Sequence, residues 1–242
     1  MRIWGSALLL VFLAAPAGAQ SRERGYIALS GGGQIATSKL IDRFVYTVNV
    51  EDATTEARYP NAGVMLDAGA GRRFWRTMGI AIHVSHLSAG GRVQTDSLIP
   101  HPFFDDRHRE VSGETGEMAH TETGLHVQLY YVRDFGRHWR VRLGAGPSYF
   151  NVSKDLVSGV TVNEQFPFDT ATFRSATIER ASDSSPGLNA GADIGWMFTR
   201  RFGASALVRF ARGRIDFNLD GTHRVSTHAG GTQAGAGIRI AF

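Results

Sequence analysis

The chain has 242 residues with 29 Gly, seven Pro and no Cys, and its formal net charge is +4. The lack of Cys excludes disulfides, thiolate metal sites and a lipid-anchored lipoprotein, and so many Gly residues disfavour a helical protein. Lys and Arg are spread along the chain without a basic run, so the sequence predicts no nucleic-acid partner.

The first predicted element is a secretory signal peptide over residues 1–19. It has Arg2 near its start, an apolar run over residues 7–15, and Ala17, Gly18 and Ala19 at its end. A charged start, a short apolar core and a small-residue site are typical of a cleaved export signal, and the apolar run is too short to be a membrane helix. We expect cleavage after Ala19, which leaves one domain over residues 20–242.

The rest of the chain contains segments in which apolar residues alternate with polar or small residues, the period of a β-strand with two different faces. The predicted strands are residues 25–35, 62–74, 79–92, 121–133, 140–152, 187–198, 202–217 and 224–242. No later stretch approaches the roughly 18 to 20 apolar residues of a membrane helix. Only helices and closed barrels satisfy their backbone in lipid, so a membrane protein with this pattern must be a barrel.

The connections between these strands alternate in length. Three are tight turns, and three are long polar stretches over residues 36–59, 93–119 and 153–185. Within the last of these, residues 160–162 and 172–178 are interpreted as extensions of the flanking strands. Tight turns on one side and long loops on the other are typical of transmembrane barrels. The prediction is therefore an all-β fold, an eight-stranded antiparallel transmembrane up-and-down β-barrel.

Aromatic residues gather at the tight turns and at the last residue. A ring of aromatic side chains marks a membrane interface, so we interpret this set as an aromatic girdle. Its members are Phe74, Trp75, Phe135, Trp139, Trp196, Phe198, Phe202 and Phe242.

The alternation also predicts which polar side chains face the barrel interior. An eight-stranded barrel is only just wide enough to be filled by side chains, and unpaired buried charges cost several kcal/mol or more. We therefore expect a plugged, salt-bridged polar interior and no wide channel. The predicted lumenal network comprises Asp67, His83, Glu122, His126, Arg140, Arg142, Asp193, Arg209 and Arg239.

The final strand ends in T-Q-A-G-A-G-I-R-I-A-F, where Ile238, Ile240 and Phe242 lie on one face. This segment resembles the carboxy-terminal strand of bacterial outer-membrane β-barrels, in which such a stripe is the assembly signal. With the strand pattern, the chain resembles the small OmpA/OmpX-like outer-membrane barrels. The resemblance implies an integral protein of a Gram-negative type outer membrane, surrounded by lipid that includes lipopolysaccharide. It also implies barrel-assembly and periplasmic chaperone partners, and a structural or surface-interaction role through loops 36–59, 93–119 and 153–185.

Two other functions stay open at this point. One is a narrow pore or a small hydrophobic-ligand carrier, which needs an open interior. The other is suggested by His83 and Ser85, since His-Val-Ser resembles the His-x-Ser of outer-membrane lipid A deacylases. Against this second reading, both side chains are predicted to face the interior, no Asn follows Ser85, and Asp96 is expected at the outer rim.

The stretch at residues 100–110 carries His101, Asp105, Asp106 and His108. Such residues at an outer rim resemble those of the omptin proteases, or they could hold a divalent cation. A solvated acidic loop is the interpretation we adopt, because the strand count is eight where omptins resemble ten-stranded barrels. The sequence thus predicts no enzymatic activity, no cofactor and no metal.

Overall fold

The computed structural model describes residues 24–36, 40–48, 50–60, 63–104, 107–136, 138–219 and 223–242, so the predicted signal peptide lies outside it. Within these residues, no helix is long and apolar enough to cross a membrane. The strands are β1 (Gly25–Ala36), β2 (Leu40–Val48), β3 (Glu51–Tyr59), β4 (Gly63–Arg73), β5 (Met78–Pro100), β6 (His108–Phe135), β7 (Trp139–Glu164), β8 (Ala171–Met197), β9 (Phe202–Leu219) and β10 (His223–Ala241).

Eight of these strands form a closed antiparallel ring, in the order β1-β4-β5-β6-β7-β8-β9-β10 and back to β1. The ring closes where β1 pairs with β10, from Tyr26 opposite Ala241 to Gly33 opposite Ala234. Tight turns join β4 to β5, β6 to β7 and β8 to β9 at one end of the barrel, and longer hairpins join β5 to β6 and β7 to β8 at the other, as in an up-and-down barrel. The predicted all-β, eight-stranded antiparallel barrel is confirmed.

The long polar stretches are mostly strand, and the prediction that they are loops is wrong. β2 and β3 form a hairpin within residues 36–59, and β3 pairs with β5 beyond the end of β4. β5 and β6 stay paired as far as Pro100 and His108. The last long stretch forms the far ends of β7 and β8, as expected for its two predicted extensions. By pairing with each other, these strands satisfy the backbone hydrogen bonds of the hairpins.

The ring has a belt of exposed apolar side chains on its outside. Along β9 the belt extends from Phe202 to Phe210, and Arg212 follows as the next outward residue. That is about 27 Å of strand, or about 20 Å of height at a usual barrel tilt. The belt comprises Ile27, Leu29, Val64, Leu66, Ile80, Ile82, Val84, Leu125, Leu129, Tyr131, Leu143, Tyr149, Leu188, Ile194, Val208, Phe210, Ile238 and Ile240.

Beyond the belt the arrangement of apolar residues reverses. On β9 the apolar side chains Val208 and Phe210 face outward, whereas Ile215 and Phe217, farther along the same strand, are buried inside. The inward residues of this far half form an apolar core with the β2–β3 hairpin. Its largest members are Phe44, Tyr59, Met118, Phe150, Leu156, Ile215 and Phe217. The far half therefore has the polar outside and apolar inside of a water-soluble β-barrel.

Candidate functional site

The belt half of the barrel encloses a network of polar side chains, and its centre is Asp67 on β4. One carboxylate oxygen accepts a hydrogen bond from Arg209 Nη2 at 2.7 Å, and the other lies 3.0 Å from His83 Nδ1. Arg209 also donates to the Gln233 side chain at 3.0 Å. Asp67 and Arg209 are only 2% and 3% exposed. The carboxylate thus has a cation on one side and an imidazole on the other.

A second charged cluster lies nearer the tight turns. Arg239 donates to both carboxylate oxygens of Asp193, at 2.5 and 2.6 Å, and Arg142 donates to the same group at 3.1 Å. The guanidinium carbons of Arg142 and Arg239 lie 4.3 and 4.5 Å from the ring centre of Tyr26. Arg140 lies at the end of the barrel, with Asp134 2.5 Å away. Two arginines on one carboxylate leave this cluster with a net positive charge, which the face of the tyrosine ring helps to stabilise.

Ser85 is hydrogen bonded to a histidine, but not to the one that the His-Val-Ser motif indicated. Its Oγ lies 2.9 Å from His126 Nε2, and His126 Nδ1 lies 2.8 Å from the hydroxyl of Ser148. The carboxylate that would complete a hydrolytic triad, Asp67, contacts His83 instead. A triad needs the base held by a third group that stabilises its charged form. Ser85, His126 and Asp67 are therefore all buried in the interior, but the carboxylate is hydrogen bonded to a different histidine from the one that contacts the serine.

Glu122 departs from the expectation that each interior charge meets an opposite charge. Both of its carboxylate oxygens lie 3.0 Å from the backbone N of Gly230, which donates to them. Gly230 has a positive φ of 82°, which turns this amide into the barrel, and its carbonyl accepts a hydrogen bond from the Gln34 side chain. A backbone partner of this kind carries no signature in the sequence apart from the glycine itself.

Asn189 on β8 is a member of the network that sequence reasoning missed. Its Nδ2 lies 3.0 and 2.9 Å from the carbonyl oxygens of Gly146 and Pro147, and its Oδ1 accepts a hydrogen bond from Gln128 at 2.6 Å. The register between β6 and β7 omits these two positions of β7. Proline cannot donate to a sheet ladder, so Pro147 in the middle of a predicted strand was the available signal that a side chain must replace the lost bonds.

Little space remains inside the belt half. One interior cavity measures about 30 Å³ and is bordered by Tyr26, His83, Tyr130, Arg142 and Arg209. A water molecule needs roughly 10 to 15 Å³ of such volume, so the cavity has room for about two waters. The interior of the far half is occupied by the apolar core described above.

Every residue of the predicted girdle is exposed at the tight-turn end of the barrel. Trp139 and Trp196 stack on neighbouring strands, with ring centres 5.9 Å apart and planes 15° apart, and Phe198 contacts Trp196 edge-on. Ile238 and Ile240 face outward beside Phe242. These positions are those that the alternation predicted; an interfacial or assembly role for them stays a prediction.

At the opposite end, two hairpin tips lie against each other. Arg109 near the β5–β6 tip donates to Glu164 of the β7–β8 hairpin at 2.6 Å, and the rings of Phe103 and Phe168 are 5.4 Å apart. Phe103 and Phe166 are 70% and 81% exposed. These contacts join the tips into one aromatic surface.

The acidic stretch of residues 100–110 forms the β5–β6 tip. His101 is buried there, with its ring centre 4.8 Å from that of Phe104. His108 begins β6, whereas Asp105 and Asp106 lie outside the described residues. In the described part of the chain no three His, Asp or Glu residues are grouped to hold a metal ion.

Lys154 on β7 is a buried cation in the far half, 7% exposed. Its ammonium lies 4.7 Å from the ring centre of Tyr59. Burial lowers the pKa of Lys154 to about 8, and the carboxylate of Asp42 opposes this shift. Burial, and then the charge of Lys154, lower the pKa of His120 to about 4. The imidazole beside Lys154 is therefore neutral at pH 7.

No family model and no curated protein matches this chain. Solved structures of outer-membrane β-barrels are similar in fold. Neisserial surface protein A is 13% identical over 90% of this chain and 96% of that one, with a TM-score of 0.47. OprG from Pseudomonas aeruginosa is 12% identical over 91% of this chain and 97% of that one, with a TM-score of 0.48. The outer membrane protease OmpT from Escherichia coli is 10% identical over 90% of this chain and 97% of that one, with a TM-score of 0.47. At these values the likeness concerns barrel architecture alone and assigns no function to this chain.

Proposed function

We propose that this chain is an integral outer-membrane β-barrel with a closed interior, which acts through the hairpins that it holds above the membrane. One observation carries the proposal, namely the belt of exposed apolar side chains around a ring with a polar, charged interior. A water-soluble barrel has the opposite arrangement, and this chain adopts that arrangement only in its far half. Apolar outside and polar inside is the pattern of a barrel surrounded by lipid.

Fractionation and gel migration test this membrane location. A closed barrel with every strand paired resists SDS until it is boiled. The unboiled protein from the outer-membrane fraction should therefore migrate faster than the boiled protein. Recovery in the soluble periplasm without a shift would refute the proposal. N-terminal sequencing of the same band tests the predicted cleavage after Ala19.

Planar-bilayer recording tests the closed interior against the alternative of a narrow pore. The charged clusters around Asp67 and Asp193 support closure, because they fill the belt half and leave a cavity of only about 30 Å³. The wild-type barrel should be silent, and so should Arg142→Ala and Arg239→Ala, because the apolar core of the far half still closes the barrel when either side chain is removed. A wild-type conductance that Arg142→Ala abolishes would establish a pore instead.

The contact role of the hairpins is supported by the joined tips and their exposed phenylalanines. An epitope inserted after Asp106 should be bound by antibody on intact cells, while the same epitope after Arg76, in a tight turn, should be bound only after the outer membrane is permeabilised. The reverse pattern would place the hairpins in the periplasm. A partner for the tips is then sought as a molecule that binds cells with the wild-type barrel and does not bind cells with Phe103→Ser.

We further propose that the barrel is not a hydrolase. His126 contacts the hydroxyls of both Ser85 and Ser148, whereas the carboxylate of Asp67 is bonded to His83 and Arg209. Ser85→Ala should therefore leave the lipid A of an overexpressing strain identical to that of the wild type. Loss of a deacylated species in that variant would show that the barrel is a deacylase.

A further inference from the structure

A cationic site lies on the outside of the barrel where the apolar belt ends. Arg212 is the first outward residue of β9 after Phe210, and Leu188 lies opposite it on β8. Phe210 and Leu188 are both exposed apolar side chains, 52% and 71%. Beyond this level the apolar residues of β9 face inward. The guanidinium of Arg212 is thus placed at the boundary between the lipid-facing and the water-facing surfaces.

One neighbour on the same face, Arg214, adds to the positive charge, and another, His228, accepts a hydrogen bond from Arg212. Arg212 Nη2 donates to the Nε2 of His228 on β10 at 3.0 Å. Arg214 is the next outward residue on β9, and its side chain is 71% exposed. One carboxylate is close: Asp216 lies 3.4 Å from Arg214 and also accepts a hydrogen bond from Ser226. In the described part of the chain, Arg212 itself has no carboxylate partner.

A comparable arginine on β5 is paired. Arg92 is an outward residue of that strand beyond the belt residue Val84, with the outward positions 86, 88 and 90 between them, and its Nη1 lies 3.5 Å from Glu114 of β6. Farther out, Arg58 contacts Asp96 at 2.6 Å and Arg180 contacts Asp155 at 2.8 Å. Arg212 therefore differs from these outward arginines in having an imidazole where they have an anion, so that its charge is available to a ligand.

We propose that Arg212, with Arg214 and His228, binds the phosphate of a lipid headgroup in the leaflet that surrounds the barrel. A guanidinium matches a phosphate through two parallel charge-assisted hydrogen bonds. Acyl chains attached to that phosphate would lie against Leu188 and Phe210, which a free phosphate could not use. The proposal rests on the membrane location proposed above and deepens it by naming a lipid class and its site.

Native mass spectrometry of the purified barrel in a neutral detergent tests this site with three probes. Phosphatidic acid carries both phosphate and chains, diacylglycerol carries the chains alone, and glycerol 3-phosphate carries the phosphate alone. The matched variants are Arg212→Gln and Arg92→Gln, which make the same chemical change at two outward arginines beyond the belt, one without and one with a carboxylate partner. Loss of a hydrogen bond to a charged group should lower retention of phosphatidic acid about tenfold in Arg212→Gln, and retention should be unchanged in Arg92→Gln.

Three results would overturn the proposal: an equal loss in Arg92→Gln, an unchanged retention in Arg212→Gln, or glycerol 3-phosphate binding as tightly as phosphatidic acid. The last would indicate a site for soluble anions. Arg214→Gln should show a smaller loss, about threefold, and serves as the second variant if Arg212→Gln fails to fold. Heat-modifiable migration of each variant reports its fold separately. A barrel that enters the membrane but binds lipid without regard to Arg212 refutes this inference and leaves the proposed function intact.

Discussion

Lys154 should make the stability of the barrel depend on pH in an unusual direction. Its pKa is lowered from 10.5 to about 8 by burial in the far half of the barrel. Between these two values the unfolded chain binds a proton that the folded chain has released, so the free energy of unfolding rises with pH. Below pH 8 the folded protein must hold a buried ammonium, and its stability is reduced by the full cost of that charge.

The size of this effect follows from the two pKa values. One pKa unit corresponds to about 1.4 kcal/mol, so the full shift corresponds to about 3 kcal/mol. Between pH 7 and pH 10 the linkage relation gives a gain of about 2.5 kcal/mol, because the unfolded lysine is still largely charged at pH 10. The groups facing Lys154 are Asp42 on β2, Tyr59 on β3 and His120 on β6. His120 does not titrate in this range, and burial raises the pKa of Tyr59 above it.

Equilibrium unfolding in urea, followed by far-ultraviolet circular dichroism in a neutral detergent, measures the effect. Lys154→Met is the control, since it keeps the length of the apolar stem and removes the charge. The stability of wild type relative to Lys154→Met should increase by about 2.5 kcal/mol from pH 7 to pH 10. The comparison cancels the titration of other groups. Asp42→Asn should steepen the dependence, because Asp42 raises the pKa of Lys154. A difference that stays constant with pH would refute a buried ammonium at this position.

Three further substitutions probe the interior and the wall. Asp67→Ala should lower the free energy of unfolding by about 3 to 5 kcal/mol, because it leaves Arg209 buried without an anion; adding Arg209→Met should recover most of the loss, and urea unfolding of both variants checks this. Asn189→Ala should lower the free energy of unfolding by about 1 to 3 kcal/mol, since two backbone carbonyls lose their donor. The backbone amides of β6 and β7 near this position should then exchange their hydrogens with solvent faster. Gly230→Ala should lower the temperature of thermal unfolding more than Gly136→Ala does. Both residues have positive φ, but a Cβ would collide with a neighbouring backbone oxygen only at Gly230.

The ring of the barrel was predictable from the sequence because each belt strand has one apolar and one polar face. In β6, for example, Leu125 and Leu129 face outward, while His126 lies inside. A period of two fixes the face of each residue once one of them is assigned. The interior positions of Asp67 and Arg239 follow from the same rule, without knowledge of any partner.

The partners inside the barrel were not predictable in this way. Asp67 and Arg209 are 142 residues apart in the chain, and their contact depends on which strands face each other across the interior. Glu122 was expected to meet a cation and instead binds the amide of Gly230. Alternation determines the face of a side chain, whereas its partner depends on the shape of the closed ring, which a single sequence does not specify.

The hairpins beyond the belt were missed for a different reason. Strands there have polar residues outside and apolar residues inside, so the parity of the apolar positions changes within one continuous strand. On β7, Leu143 faces outward at an odd position, while Val152 and Leu156 are buried at even ones. Averaged over the whole strand, such a reversal cancels the alternation and makes the segment resemble a polar loop. When the two halves of the strand are considered separately, the reversal locates the residue at which the outer face changes from apolar to polar. On β9 that residue is Arg212, which follows the outward-facing Phe210, and beyond it Ile215 and Phe217 are buried inside.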